Sequence, residues 1–329
     1  MDHSSEIGAL HAPVLADRCL ELLTPPLSEP GAVLVDATLG MGGHTELLLD
    51  HLPDLQVIGI DRDPQALDLA RRRLSRFGER FLPVHAVYDE IATVIAEEVQ
   101  TGAVQGVLFD LGVSSLQLDR PERGFSYAKD APLDMRMDTS RGRTAAELLA
   151  TEPEGSIRWI LHRFGEEKFA GRIAAAVVAA RREHPLTRSS QLVELVREAI
   201  PHAARRTGGN PAKRTFQALR IAVNAELEVL TRALPAAVEA LAVAGRIVVL
   251  SYHSGEDRQV KQVLRRGATS STPQGLPTEL ADHEPYLRLL TRGAERAGES
   301  EREANPRSAP VRLRAAERLR PTPRHLEVA

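Results

Sequence analysis

Residues Val33 to Asp61 read VLVDATLGMGGHTELLLDHLPDLQVIGID. A short apolar run, Val33 to Val35, ends in a carboxylate, Asp36. Glycines 40, 42 and 43 follow, then a helical pattern. A second apolar run, Val57 to Ile60, closes in a second carboxylate, Asp61. Strand, glycine turn, helix, strand and acid make half of a nucleotide-binding α/β fold. The glycines let the backbone pass close to a ligand without a Cβ clash. Asp61 stands 18 residues after Gly43, where a carboxylate at a strand end accepts from ribose hydroxyls. NAD and S-adenosylmethionine would both use it, and the loop separates them. A dinucleotide fold wants GxGxxG, but Gly40-Met41-Gly42-Gly43-His44-Thr45 puts threonine in the third glycine's place.

Outward from this stretch, Asp63-Pro64 starts a helix, with an N-cap carboxylate and proline at the first helical position. Leu67, Ala70 and Leu74 give that helix an apolar stripe. Phe81 to His85 predicts a third strand and Tyr88 to Val99 a helix. Val104 to Asp110 predicts a fourth strand, again closed by a carboxylate. Such alternation argues for a parallel sheet with right-handed crossovers. It breaks at Leu111 to Gly142, a loop-like stretch long enough to be functional. Helices are predicted at Thr144 to Ala150, Gly155 to Arg163, Glu166 to Arg182 and Ser189 to Ile200. A basic, glycine-containing segment, Arg205 to Arg214, follows. Thr215 to Leu230 reads as one helix and Ala236 to Val243 as helical. Gly245 to Ser251 is a buried strand. Pro285 to Thr291 and Val311 to Ala315 are candidates for two more, and Thr269 to Pro277 and Ala294 to Pro310 read as loops. The expected architecture is an α/β core, residues 1–132 and 215–329, with an all-helical insertion at 133–214.

The 329 residues are 43% hydrophobic and 26% charged, ordinary for a globular protein. Aromatics are only 4%, so base stacking cannot be widespread. One cysteine, Cys19, excludes an internal disulfide framework and a cysteine-rich zinc site. No apolar run approaches the roughly 20 residues that span a bilayer. The N-terminus lacks a basic segment followed by an apolar one, so a cytoplasmic enzyme is expected. The net charge of -3 hides an asymmetry. Ser156 to Arg220 holds thirteen Lys or Arg against five Glu, and the remainder carries -11. A block of this kind is either a polyanion-facing region or a set of solvated helix faces.

An acid ahead of a compact GxGG loop resembles the first motif of class I methyltransferases. Longer strings narrow the resemblance. They are DATLGMGGHT (Asp36 to Thr45), GIDRDPQAL (Gly59 to Leu67), FDLGVSSLQLD (Phe109 to Asp119), ERGFSY (Glu122 to Tyr127), PLDMRMD (Pro132 to Asp138) and GEEKFAGRIA (Gly165 to Ala174). Later come RTFQALRIAVNAELE (Arg214 to Glu228), LSYHSGEDRQVK (Leu250 to Lys261) and NPRSAPVRLRAAER (Asn305 to Arg318). In this order they resemble the MraW (RsmH) family, bacterial 16S ribosomal RNA cytosine-N4 methyltransferases, from about His11 to Arg318. The resemblance implies a class I, Rossmann-like methyltransferase sheet with an inserted all-helical substrate-recognition domain. It implies 16S rRNA in the 30S subunit as substrate, with methylation at a single decoding-centre cytosine. It also implies S-adenosylmethionine contacts at Gly42, Gly43, His44, Asp61, Tyr88, Asp110 and Gln117. The family commonly has proline where this chain has Leu116, and Phe and Leu where it has Tyr252 and Gly255.

For such a reaction the donor is a sulfonium, already electrophilic, and needs no metal. The exocyclic N4 of cytosine is a poor nucleophile and must be held in line. Asp110, at a sheet-centre strand end, is the first candidate catalytic residue. It contacts either the cytosine or the cofactor's amino group. Ser114, Ser115 and Gln117 are expected to orient the base. Asp134, Arg136 and Asp138 of PLDMRMD read either as an ion-pair network or as a functional face. His253 and Asp257 read as substrate contacts or as structural hydrogen-bond partners. No HxH or HExxH spacing supports a metal. RNA phosphate contact is expected from Arg205, Arg206, Lys213, Arg214 and Arg220, with Arg307, Arg312 and Arg314 secondary. The competing classes are a nicotinamide-dependent oxidoreductase and a non-catalytic RNA-binding protein on a vestigial fold.

Overall fold

The computed structural model describes residues 13–202, 210–273, 275, 278 and 280–326. Along the chain these form α1 (Ala16–Leu27), β1 (Val33–Asp36), α2 (Gly43–His51), β2 (Gln56–Asp61), α3 (Pro64–Arg73) and β3 (Phe81–His85). Then come α4 (Ile91–Glu98), β4 (Val104–Asp110), the short α5 (Ser115–Asp119), α6 (Ala145–Thr151), α7 (Glu154–Gly165), α8 (Ala170–Ala180) and α9 (Ser189–Ala199). The last elements are α10 (Lys213–Asn224), α11 (Glu226–Ala240), β5 (Leu241–Ser251), α12 (Ser254–Gly267), β6 (Leu287–Leu289), α13 (Glu299–Ala304) and β7 (Arg312–Arg318). None of these helices is long and apolar enough to cross a membrane.

The chain divides into two compact units, 1–112 with 228–329, and 113–227. The first contains a seven-stranded sheet of order β3-β2-β1-β4-β5-β7-β6. β1 to β5 are parallel, and β7 runs antiparallel to both β5 and β6. Successive residues face opposite sides, as a strand requires. Val35, Ile58, Ile60, Val107, Phe109 and Val249 pack with α4 and α11. Leu34, Val57, Leu108, Val248 and Leu250 pack with α1, α2 and α3. Burial on both faces is why these strands read as unbroken apolar runs. Strand order reverses between β1 and β4, so their carboxyl ends diverge into the crevice where such sheets bind ligands. Asp36, Asp61 and Asp110 end β1, β2 and β4 at that edge. α3 starts as its sequence predicts, with Asp63 accepting from the Gln65 amide at 3.0 Å and Pro64 in the first turn.

The second unit has its own core, in which Phe125, Leu133 and Met135 pack with α6 to α10. Residues 113–132 and 215–227, assigned to the α/β core from sequence, pack here, because Phe125, Phe216, Ala218 and Leu219 belong to this core. Other boundaries also move. The 215–230 helix breaks at Ala225, which adopts φ 50° and closes α10. Residues 241–243, read as helical, begin β5. The 111–142 stretch contains α5 and a 3-10 turn, Pro121–Arg123, and the 294–310 loop contains α13.

Candidate active site

The glycine loop is shaped by two constraints. Gly42 adopts φ +79°, and a Cβ there would lie 2.8 Å from Leu74 Cδ1 on the turn after α3. Only glycine takes both that backbone and that approach cheaply. The Leu39 amide then bonds the Ile60 carbonyl at 2.9 Å, and the Gly40 amide donates to Asp61 Oδ2 at 2.7 Å. The Asp63 amide donates to Asp61 Oδ1 at 2.8 Å. Each Asp61 oxygen thus keeps a lone pair for a further donor. Burial raises the Asp61 carboxyl to about 6, against the lowering pull of the two amides. These free lone pairs are the acceptors that the two hydroxyls of a ribose diol require, so the residues fit an adenosine cofactor.

Asp36 faces inward and supports the loop. Thr45, the residue that spoils the dinucleotide pattern, donates its hydroxyl to Asp36 Oδ2 at 2.7 Å. Burial raises the Asp36 carboxyl, partly offset by that hydroxyl.

Asp110 collects partners from three other segments. Its amide donates to Thr38 Oγ1 at 2.5 Å. Tyr252, directly after β5, donates its hydroxyl to Asp110 Oδ1 at 2.6 Å. His44 Nδ1 lies 3.7 Å from Oδ2. The other ring nitrogen, Nε2, is 3.0 Å from the Val14 carbonyl, which only accepts, so Nε2 carries a proton. Burial raises the Asp110 carboxyl, while His44 and the Tyr252 hydroxyl pull it down. Gly42, Gly43, His44, Asp61 and Asp110 therefore gather at one sheet edge. Tyr88 begins the turn after β3, with its ring edge-on to Phe109 at 5.7 Å.

Two of these contacts escaped the sequence reading. Thr38 lies inside the quoted DATLG motif, and its spacing from Asp36 was the available signal. Tyr252 follows a strand at the same carboxyl edge as Asp110, which was its signal.

Other candidates occupy different settings. In the second unit, Ser114 Oγ accepts the Gln117 amide at 3.3 Å, and Gln117 Oε1 accepts the Ser114 amide at 3.0 Å. This reciprocal pair caps α5. Ser115 follows in the same helix. Asp134 holds Arg136 through two bonds of 2.9 and 2.8 Å, and Asp138 pairs with Arg141 at 2.7 Å. His253 Nδ1 accepts the Gly255 and Glu256 amides, capping α12. Asp257 pairs with Arg314 at 2.7 Å and Arg312 at 3.2 Å, which takes those arginines out of the phosphate-facing set. Arg220 binds both oxygens of Glu226 at 2.8 Å, so its guanidinium is already engaged. Lys213 and Arg214 begin α10, and Arg214 Nη1 donates to the Glu166 carbonyl at 3.1 Å. Arg205 and Arg206 lie outside the described residues.

Residues 8–319 match the sequence profile of the MraW methylase family. Ribosomal RNA small subunit methyltransferase H of Beutenbergia cavernae is 67% identical, over 97% of this chain and 96% of the relative. Proteins of the same name from Frankia alni and Streptomyces avermitilis are 62% and 58% identical, over 95% and 94% of this chain and 97% of each relative. The chain belongs to the MraW methylase family and is an S-adenosylmethionine-dependent methyltransferase.

Proposed function

We propose that this methyltransferase modifies ribosomal RNA of the small subunit, at the exocyclic N4 of one decoding-centre cytosine of 16S rRNA. The carrying observation is the Asp110 carboxylate, held at the end of a central strand by Tyr252 and flanked by His44. The relatives' shared name, ribosomal RNA small subunit methyltransferase H, supports the RNA class.

S-adenosylmethionine supplies an electrophilic methyl group on a sulfonium. Asp61 would accept from the ribose hydroxyls when the donor is bound, and the Gly42-Gly43 backbone would give it a close approach free of Cβ atoms. Asp110 accepts a hydrogen from N4, which turns the nitrogen lone pair outward from the ring. The methyl group would pass to N4 as its bond to sulfur breaks with the electron pair left on sulfur, and one N4 proton would leave to solvent. A carboxylate acts here as an acceptor and a positioner.

Nucleoside mass analysis of 16S rRNA from cells with and without this protein tests the reading. Loss of N4-methylcytidine supports it, and an unchanged profile refutes it. Asp110→Ala separates the two roles of that carboxylate. Normal cofactor binding with lost turnover supports contact with the acceptor. Lost cofactor binding supports contact with the donor's amino group.

A further inference from the structure

The second unit exposes one aromatic ring on a helix that the site above does not use. Trp159 on α7 is 56% exposed, and it is the only aromatic among the exposed large apolar side chains of the described residues. Its neighbours Ile157, Ile160 and Leu161 are buried, so α7 turns a defined face outward. Arg158, His162 and Arg163 are exposed on that face. Spacing of three and four residues puts His162 and Arg163 one turn from the indole. Phe164 meets the indole edge-on at 5.2 Å, which braces the ring.

Cations are dense in the sequence on either side of this ring. Arg158, Arg163, Lys168 and Arg172 are all exposed, and none forms an ion pair among the described residues. The end of α7 also abuts the start of α10. Gln217 Nε2 donates to the Phe164 carbonyl at 3.3 Å, and Arg214 Nη1 to the Glu166 carbonyl at 3.1 Å. A Cβ on Gly165 would lie 2.6 Å from the Arg214 carbonyl oxygen, so the approach is close. That approach is made on the buried stripe of α7, Ile157, Leu161 and Gly165, so α10 braces the helix whose other face carries Trp159. A bare flat ring among unneutralised cations suits a ligand with apolar rings and regularly spaced negative charges.

We infer that Trp159 is a stacking platform for an unpaired nucleotide of the RNA substrate, with Arg158, Arg163 and Lys168 on the flanking phosphates. The inference rests on the RNA reading above and names a contact within it. Stacking on an aromatic ring is sequence-tolerant, so this surface would hold the strand and leave base choice elsewhere.

Trp159 is the chain's sole tryptophan, which makes it its own probe. The full-length protein is titrated with purified 16S rRNA and, separately, with 30S subunits, while indole emission is followed. Both ligands quench the emission. Trp159→Ala weakens binding about 5- to 50-fold, and Trp159→Phe recovers most of that loss because a phenyl ring still stacks. Arg163→Glu lowers the salt slope of binding by about one, and Trp159→Ala leaves the slope unchanged. Binding of 16S rRNA with unchanged emission and unchanged affinity of Trp159→Ala overturns this inference alone. Quenching by 30S subunits with none by 16S rRNA gives the surface to a protein partner and also overturns it. Binding to neither polyanion overturns the RNA reading together with this inference.

Discussion

Asp110 and Asp61 are both carboxyls raised by burial, yet their partners set them different tasks. The Tyr252 hydroxyl is a hydrogen-bond donor to Asp110 at 2.6 Å, and it favours the ionised form. Tyr252→Phe removes that donor and keeps the ring beside Gly112. The acid limb of the rate profile for methyl transfer then moves to higher pH, because the Asp110 carboxyl loses a bond that favours its charged form. A pH–rate series with 30S subunits checks this, and an unmoved limb removes Tyr252 from the mechanism. Asp61 sits at about 6 instead of the ordinary 3.8. Its folded-state proton is held more tightly than in the unfolded chain. That stabilisation is complete below about pH 4 and is lost as the pH rises through about 6. Cofactor affinity runs the other way, because ribose hydroxyls need the carboxylate as acceptor. S-adenosylhomocysteine binding, measured by calorimetry between pH 5 and 8, should weaken about tenfold per unit below 6. Asp61→Asn should bind weakly with a flat profile, and a wild-type profile in that variant would exclude the role.

At the scale of elements, the PLDMRMD segment behaves as a strut. Asn224 at the end of α10 donates to the Met135 carbonyl at 2.7 Å and accepts the Met137 amide at 2.8 Å. The Arg123 guanidinium donates to the Met137 carbonyl at 2.7 Å. Met135 holds φ 63°, a backbone that such anchoring must maintain. Asn224→Ala leaves a buried amide and a buried carbonyl short of partners. It should cost about 2–3 kcal/mol in urea unfolding and raise amide exchange at Met137. These features show what the sequence could and could not display. β1, β2 and β4 were legible because each is a buried run closed by an acid, and α3 because Asp63-Pro64 announces it. The break between α10 and α11 was not, since Ala225 takes a left-handed turn that neither glycine nor proline marks. The α11–β5 junction was hidden for the same reason, because Ala240 and Leu241 carry no turn chemistry. The glycine loop and Asp61 could be read as one local motif. Tyr252 and Asp110 are 142 residues apart, and their bond exists only because β5 pairs beside β4.

Charge separates on the scale of the whole molecule. Residues 113–227 carry 19 Lys or Arg against 14 Asp or Glu, and the rest of the chain carries a net -8. A uniformly charged protein of net -3 would be repelled by a polyanion at every approach. This one presents its excess positive charge on the helical unit, while the sheet unit keeps an acidic balance. Arg220 in the helical unit, and Arg312 and Arg314 in the sheet unit, are already bound to carboxylates, which leaves the other cations of the helical unit as the proposed phosphate contacts. Arg205 and Arg206 flank the Gly208-Gly209 pair on one side and Lys213 and Arg214 on the other. Each phosphate neutralised releases condensed counterions, so log affinity falls linearly with log salt. Arg205→Glu with Arg206→Glu should lower that slope by about two for 30S subunits, since two contacts are lost. Filter binding across about 50 to 200 mM salt reads the slope directly. The same double variant should bind S-adenosylhomocysteine as the parent does, because Gly42, Gly43 and Asp61 belong to the sheet unit. A slope equal to the parent's would place the phosphate contacts elsewhere, and Lys213→Glu with Arg214→Glu would then be the pair whose slope decides.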